Sequence, residues 1–134
     1  MGTGLKSFQD RLRSLPHLVR DALGRGAVEA AEEVADTIRA LVPVDEGKLL
    51  ASVEVTGPGQ TTPAHSYPGG SFLVPDNAAA VTVGNSDVRY PHLVEFGTVK
   101  TPAQPFFFPG YRLAKPAAAA KIKAGIRRAV RGGS

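Results

Sequence analysis

The chain contains no cysteine. That excludes a disulfide framework and a thiolate zinc site, and it fits a reducing compartment or a particle assembled inside one. No apolar run approaches the ~20 residues that a membrane-spanning helix needs. Residues 1–6 lack the apolar region of a secretion signal. Lys6 stands where a myristoylation signal would carry Ser or Thr. There are three histidines, His17, His65 and His92, too scattered for metal-ligand spacing. No GxSxG, no Walker loop and no GxGxxG opening a helix occurs. Asp45, Glu46 and Glu95 could supply a pair of carboxylates to a metal or a hydrolytic site. Asp45 reads more simply as a helix cap, and Glu95 as an acceptor of hydrogen bonds from a loop. The expectation is a protein without catalytic centre, metal or cofactor.

Acidic residues are also missing from the last third. All twelve lie at or before Glu95, where eight Lys and Arg leave a net −4, and residues 96–134 carry eight Lys and Arg and no acid, a net +8. Such asymmetry suits a basic tail for an anionic partner, or a match between oppositely charged halves within or between chains. The 134 residues are read as one domain, 1–134.

Leu5, Phe8, Leu12, Leu15, Val19, Ala22, Gly26, Ala30, Val34, Ile38 and Leu41 recur at steps of three and four, one face of a helix. Pro16 divides it, so that a second helix starts near the proline and runs to about Val42, roughly 37 Å at 1.5 Å per residue. Its stripe of Ala and Gly permits close approach of another backbone. Pro43 ends it. Asp45 then predicts an N-cap for a short helical turn that points Leu49 and Leu50 inward, and residues 52–56 a strand. Residues 57–75 hold four prolines, four glycines and no charge. They read as an extended arm or hairpin loop that orders against a partner through Tyr67, Phe72 and Leu73. Residues 78–84 are a second strand, 85–87 a turn, and 90–96 a short strand or a single helical turn. Residues 97–109 read as a Pro-rich loop. A last helix runs from Gly110, with Pro116 in or before its first turn and residues 131–134 fraying.

The fold class is therefore α+β: a long N-terminal and a C-terminal helix packed on a small antiparallel sheet, with a long loop arm. Three of the six phenylalanines, Phe106, Phe107 and Phe108, stand in a row between Pro105 and Pro109. If extended, they alternate in direction, two into the core and one outward or the reverse. Ala118, Ile122, Ile126 and Val130 share one face of the last helix. Lys121, Lys123, Arg127 and Arg128 lie around it and could neutralise DNA phosphates without reading sequence. They could equally meet the acidic run Glu29, Glu32, Glu33 and Asp36, on the same chain or a neighbour, or simply face water.

Three stretches in order carry a resemblance. They are Pro43, Asp45, Gly47 and Leu49 with Ser52; then Tyr90, Glu95, Gly97 and Thr98; then Gln104, Pro105 and Phe106. The pattern P-x-D-x-G-x-L, Y-x-x-x-x-E-x-G-T and Q-P-F resembles the family of small phage neck and tail-completion proteins. That family is typified by gene product ten of a lambdoid phage, and the minor tail protein Z of lambda looks related. The uncharged loop 57–75 is longer than a minimal member needs. The resemblance implies a structural virion protein, assembled in the host cytoplasm. Its subunits would form a homo-oligomeric ring, typically a hexamer, at the head–tail junction. The ring would join the head-closure or stopper layer to the tail terminator and tail tube around the DNA channel, with no membrane partner and no cofactor. A neck ring and a terminator ring both fit, and so, on the residues alone, does a small basic DNA-binding protein. Within the motifs, Glu95, Gly97 and Gln104 are expected to fix the loop, with Gly97 in a backbone conformation that a side chain would forbid.

Overall fold

A computed structural model describes residues 17–132. The helical stripe over residues 5–15 and the break at Pro16 lie outside them. The first described element, α1, is His17–Leu41. It buries Leu23, Ala30, Ala31, Val34, Ala35 and Ile38; of the predicted stripe Ala30, Val34 and Ile38 are buried, Ala22 and Gly26 are half-buried and Leu41 is exposed. It stops two residues before Pro43, as the restriction on the residue preceding a proline requires.

The chain then turns through Pro43–Glu46, where the Glu46 N–H donates to the Pro43 carbonyl at 3.0 Å, and enters the short helix α2, Gly47–Ala51. This corrects the expected cap. The turn places Asp45 in solvent, Glu46 takes the cap position, and no side chain caps the helix. Leu49 is fully buried, whereas Leu50 is exposed, because on a single helical turn only one of two adjacent residues can face the core.

Strand β1, Glu54–Thr56, pairs antiparallel with β2, Ala80–Thr82, with Val55 opposite Val81. Ser52 ties this sheet to α2: its hydroxyl donates to the Leu49 carbonyl at 2.7 Å and accepts the Gly84 N–H at 2.9 Å. Between the strands, the uncharged segment folds back as a hairpin whose order comes from its own chain. Gly59 and Val74, Gln60 and Val74, and Thr62 and Phe72 are joined by backbone hydrogen bonds. The buried Thr62 hydroxyl donates to the Gly70 carbonyl at 2.7 Å and accepts the Phe72 N–H at 2.8 Å. Tyr67 exchanges two backbone bonds, 2.8 and 3.1 Å, with Val83.

Residues 90–96 resolve as a helix, α3, Pro91–Phe96, with proline at its first position. The last helix, α4, is Phe107–Gly132. It starts three residues before Gly110 and carries Pro116 in its interior, both departures from the expectation. Pro109 is tolerated because the first turn of a helix needs no intrahelical N–H donor. Pro116 is exposed. It leaves the Arg112 carbonyl without its helical donor on a face open to water.

The two long helices run antiparallel and cover one another. Ala114, Ala118 and Phe107 of α4 meet Ala30, Val34, Ala35 and Ile38 of α1 in one cluster with Leu49, Val53, Val83, Val88 and Phe106. At Gly110 the backbones come so close that an added Cβ would lie 2.8 Å from the Ile38 Cα. Gly110→Ala should therefore cost about 1–3 kcal/mol through overpacking, read as a lowered denaturant midpoint. Gly125→Ala on the same helix meets nothing within 4 Å. It should raise the midpoint, by up to about 1 kcal/mol of helix propensity.

Candidate functional site

The start of α4 is built around Glu95. This carboxylate is buried and accepts three successive backbone donors: the N–H groups of Phe106 and Phe107 at 2.9 Å each on Oε1, and that of Phe108 at 3.2 Å on Oε2. Pro109 has no N–H to satisfy, and the Gly110 N–H closes the first intrahelical bond on the Phe106 carbonyl at 3.2 Å. Every donor at this helix end is thus accounted for. No cation among the described residues pairs with Glu95; the amide dipoles of α4 and the three N–H groups balance its charge. The spacing of Pro105 and Pro109 predicts a loop through the phenylalanines. Helical geometry instead turns Phe106 and Phe107 into the core and leaves Phe108 half-exposed. Phe106 and Phe107 belong to the core of the chain.

The loop that carries the chain from Glu95 to the cap has its own fixings. Gly97 has φ +77°, and a Cβ there would lie 2.6 Å from the Ala103 nitrogen. The Thr98 hydroxyl accepts the N–H groups of Lys100 and Thr101, and the Gln104 N–H donates to the Val94 carbonyl at 2.8 Å. Pro105 leads directly into the cap. Tyr90 precedes α3 and lines one cleft with Glu46 of the turn before α2. The three sequence motifs, far apart in the chain, therefore meet. Pro43, Asp45, Tyr90, Val94, Thr98 and Gln104 line one open cleft of about 370 Å³. Gly47 opens α2 with nothing near its Cα that a side chain would meet. Val44 and Val99, in the loops that bound the cleft, are fully exposed.

Residues 6–97 match a family model described as "Bacteriophage HK97-gp10, putative tail-component". The chain belongs to the HK97-gp10-like family. No curated protein and no solved structure matches it. Membership supports a structural phage tail protein, part of a virion. The matched stretch contains Pro43–Leu49 and Tyr90–Gly97 and stops before the residues that Glu95 caps.

Beside the cap, this HK97-gp10-like chain presents an aromatic face. The Tyr67 ring packs edge-on against Phe107 at 5.6 Å, Phe108 at 6.0 Å and Phe96 at 6.3 Å between centroids. Phe96 is 67% exposed, and Tyr111 is also open to solvent. Next to them Ala30, Val34, Pro68, Phe108, Ala118 and Ile122 line an open groove of about 600 Å³ whose only charged lining residue is Lys115. Phe72 and Leu73 are exposed on the hairpin. Phe96 and Tyr111 were not singled out in the sequence. The signal that points to Phe96 is its place directly after Glu95 on a helix too short to bury both.

The charged residues divide. Lys121 pairs with Glu33 at 3.4 Å between α4 and α1, and Asp36 with Arg39 at 2.8 Å within α1. Arg128 and Glu29 line a shallow cleft between the two helices. Glu32, Lys123 and Arg127 are exposed. Among the described residues no cluster of three His, Asp or Glu could hold a metal ion. His65 and His92 lie on separate exposed segments.

Glu95→Gln keeps the shape but offers an NH2 group to backbone donors. It should cost about 2–3 kcal/mol, the worth of hydrogen bonds to a charged acceptor, read by chemical denaturation. A second readout is the titration of Tyr67, whose phenol is raised above the ordinary value by burial and then by the Glu95 charge. Glu95→Gln should bring it part of the way down in a spectrophotometric titration. Tyr90 is raised as well, by burial and then by Glu46. The folded state thus favours both neutral phenols. Their stabilisation is complete below the ordinary tyrosine pKa and is lost as pH climbs through the raised values, so thermal stability should fall at strongly alkaline pH.

Proposed function

We propose that the protein is a ring-forming subunit of the phage head–tail junction. Its ring joins the head-closure or stopper layer to the tail terminator and tail tube around the channel through which DNA passes. The observation that carries this reading is the aromatic face of Tyr67, Phe96, Phe108 and Tyr111 beside the apolar groove. A monomer rarely leaves apolar surface of this extent open to water. Aromatic anchors beside a nearly uncharged groove are the usual centre of a protein interface.

A ring further needs two different surfaces on one subunit, each complementary to the other on the next copy. The aromatic face with its groove is one. The motif cleft with the exposed Val44 and Val99, and the hairpin with Phe72 and Leu73, offer others at distinct places. Among the described residues Asp45 makes no hydrogen bond or ion pair and Gly47 has open space beside its Cα, which suits residues that face a neighbour.

Sedimentation velocity and negative-stain microscopy of the purified chain, alone and with tail or head particles, test this. Rings, or an oligomer that grows with concentration, are expected. A strict monomer at every concentration that also joins neither heads nor tails would sink the reading. Phe96→Asp with Phe108→Asp should weaken assembly at least about tenfold, because a charge placed in an apolar contact must be desolvated.

A further inference from the structure

One side of α4 carries a stripe of cations. At 100° per residue, Arg112, Lys123 and Arg127 fall within about 60° of one another. Gly110, Ala114 and Ala118, which pack on α1, are on the opposite side. All three cations are exposed, and none makes an ion pair with a described residue. No acid occurs anywhere in residues 96–134 to screen them. Lys121 is different, because it reaches back to Glu33.

We propose that this outward stripe of α4 binds the phosphate backbone of duplex DNA without reading its sequence. In the ring reading, on which the placement rests, it is then the surface that faces the channel. The stripe runs about 22 Å from Arg112 to Arg127 at 1.5 Å per residue. Duplex DNA carries a charge every ~1.7 Å of axis, so the stripe passes many phosphates. Pro116, Ala119 and Ala120 fill the gap between Arg112 and Lys123, a smooth and small-residue surface that lets a rod approach. The stripe offers no Asn, Gln or aromatic side chain for a base edge. A protein partner is the poorer fit. Protein interfaces centre on buried apolar anchors. This chain holds its exposed aromatics elsewhere, around Tyr67 and Phe96.

The test is fluorescence anisotropy of a random-sequence duplex titrated with the full chain across a series of salt concentrations. The comparison is between wild type, the triple variant Arg112→Ala/Lys123→Ala/Arg127→Ala, and Lys121→Ala. Expected is wild-type binding that weakens steeply with salt. The triple variant should bind at least about tenfold more weakly at low salt, with its salt slope reduced by roughly 0.9 for each lost phosphate contact. Lys121→Ala should stay close to wild type. Circular dichroism melting confirms that the variants, all at exposed positions, stay folded. An unchanged slope in the triple variant overturns the proposal. So does a wild type that ignores duplex but loses binding to purified tail or head protein on the triple substitution, which would assign the stripe to a protein. Sedimentation of the same samples separates the two readings. Rings without DNA binding defeat this proposal alone, and a DNA-binding monomer defeats the ring alone.

Discussion

A buried carboxylate with no cation beside it sets where the second long helix begins. Glu95 reaches from α3 across the ten residues 97–106 to hold three consecutive N–H groups at the start of α4. Burying such a charge without partners would be prohibitive, so the helix end and the carboxylate have to form together. The alternative, an α4 that begins at Gly110, would leave the carboxylate buried with its donors elsewhere. Gly97 turns the chain away after α3 and Thr98 closes the loop that brings it back. Phe106 and Phe107 enter the core as a result of that register and not of any local preference.

The register has a reach of about forty ångströms, the length of twenty-six residues at 1.5 Å each. Once Phe107 is fixed as the first residue of α4, Gly110 falls against Ile38 and Lys121 falls within reach of Glu33. The face of α4 that meets solvent is fixed as well. The cap therefore decides, at a distance, which cations face α1 and which face outward. The chain's charge asymmetry is in this way divided between a small internal match and a larger outward surplus.

Much of this was legible in the residues. The three-four spacing of Val34, Ile38 and Leu41 marks α1, and Pro43 its end. The alternation around Val55 and Val81 marks the strands, and the glycine after Phe96 marks a turn that needs positive φ. What was not legible depends on atoms distant in sequence. Pro105 and Pro109 read as loop punctuation, and only a carboxylate twelve residues upstream makes Phe107 helical. Pro116 reads as a helix start, but it sits on the face that water can serve. Asp45 has the chemistry of a cap and the wrong position for one, because the turn from Pro43 closes on Glu46. The hairpin at 57–75 reads as a segment in search of a partner, since nothing in its composition announces that the Thr62 hydroxyl will bridge Gly70 and Phe72.

The two helices that cover one another lie on either side of the sheet and hairpin in the chain. During synthesis the apolar stripe of α1 leaves the ribosome long before α4 exists to meet it. The two-stranded sheet gives it only part of its cover. Glu95, made earlier than the amides it binds, is in the same position. Nascent chains are therefore stickiest until α4 has emerged, and their docking requires contacts of long sequence separation, which form slowly. Where many copies are made at once to build particles, this ordering favours chains that finish α4 before they meet each other. It also makes truncated products, lacking both the cap donors and the cover for α1, poor competitors for a place in the assembly.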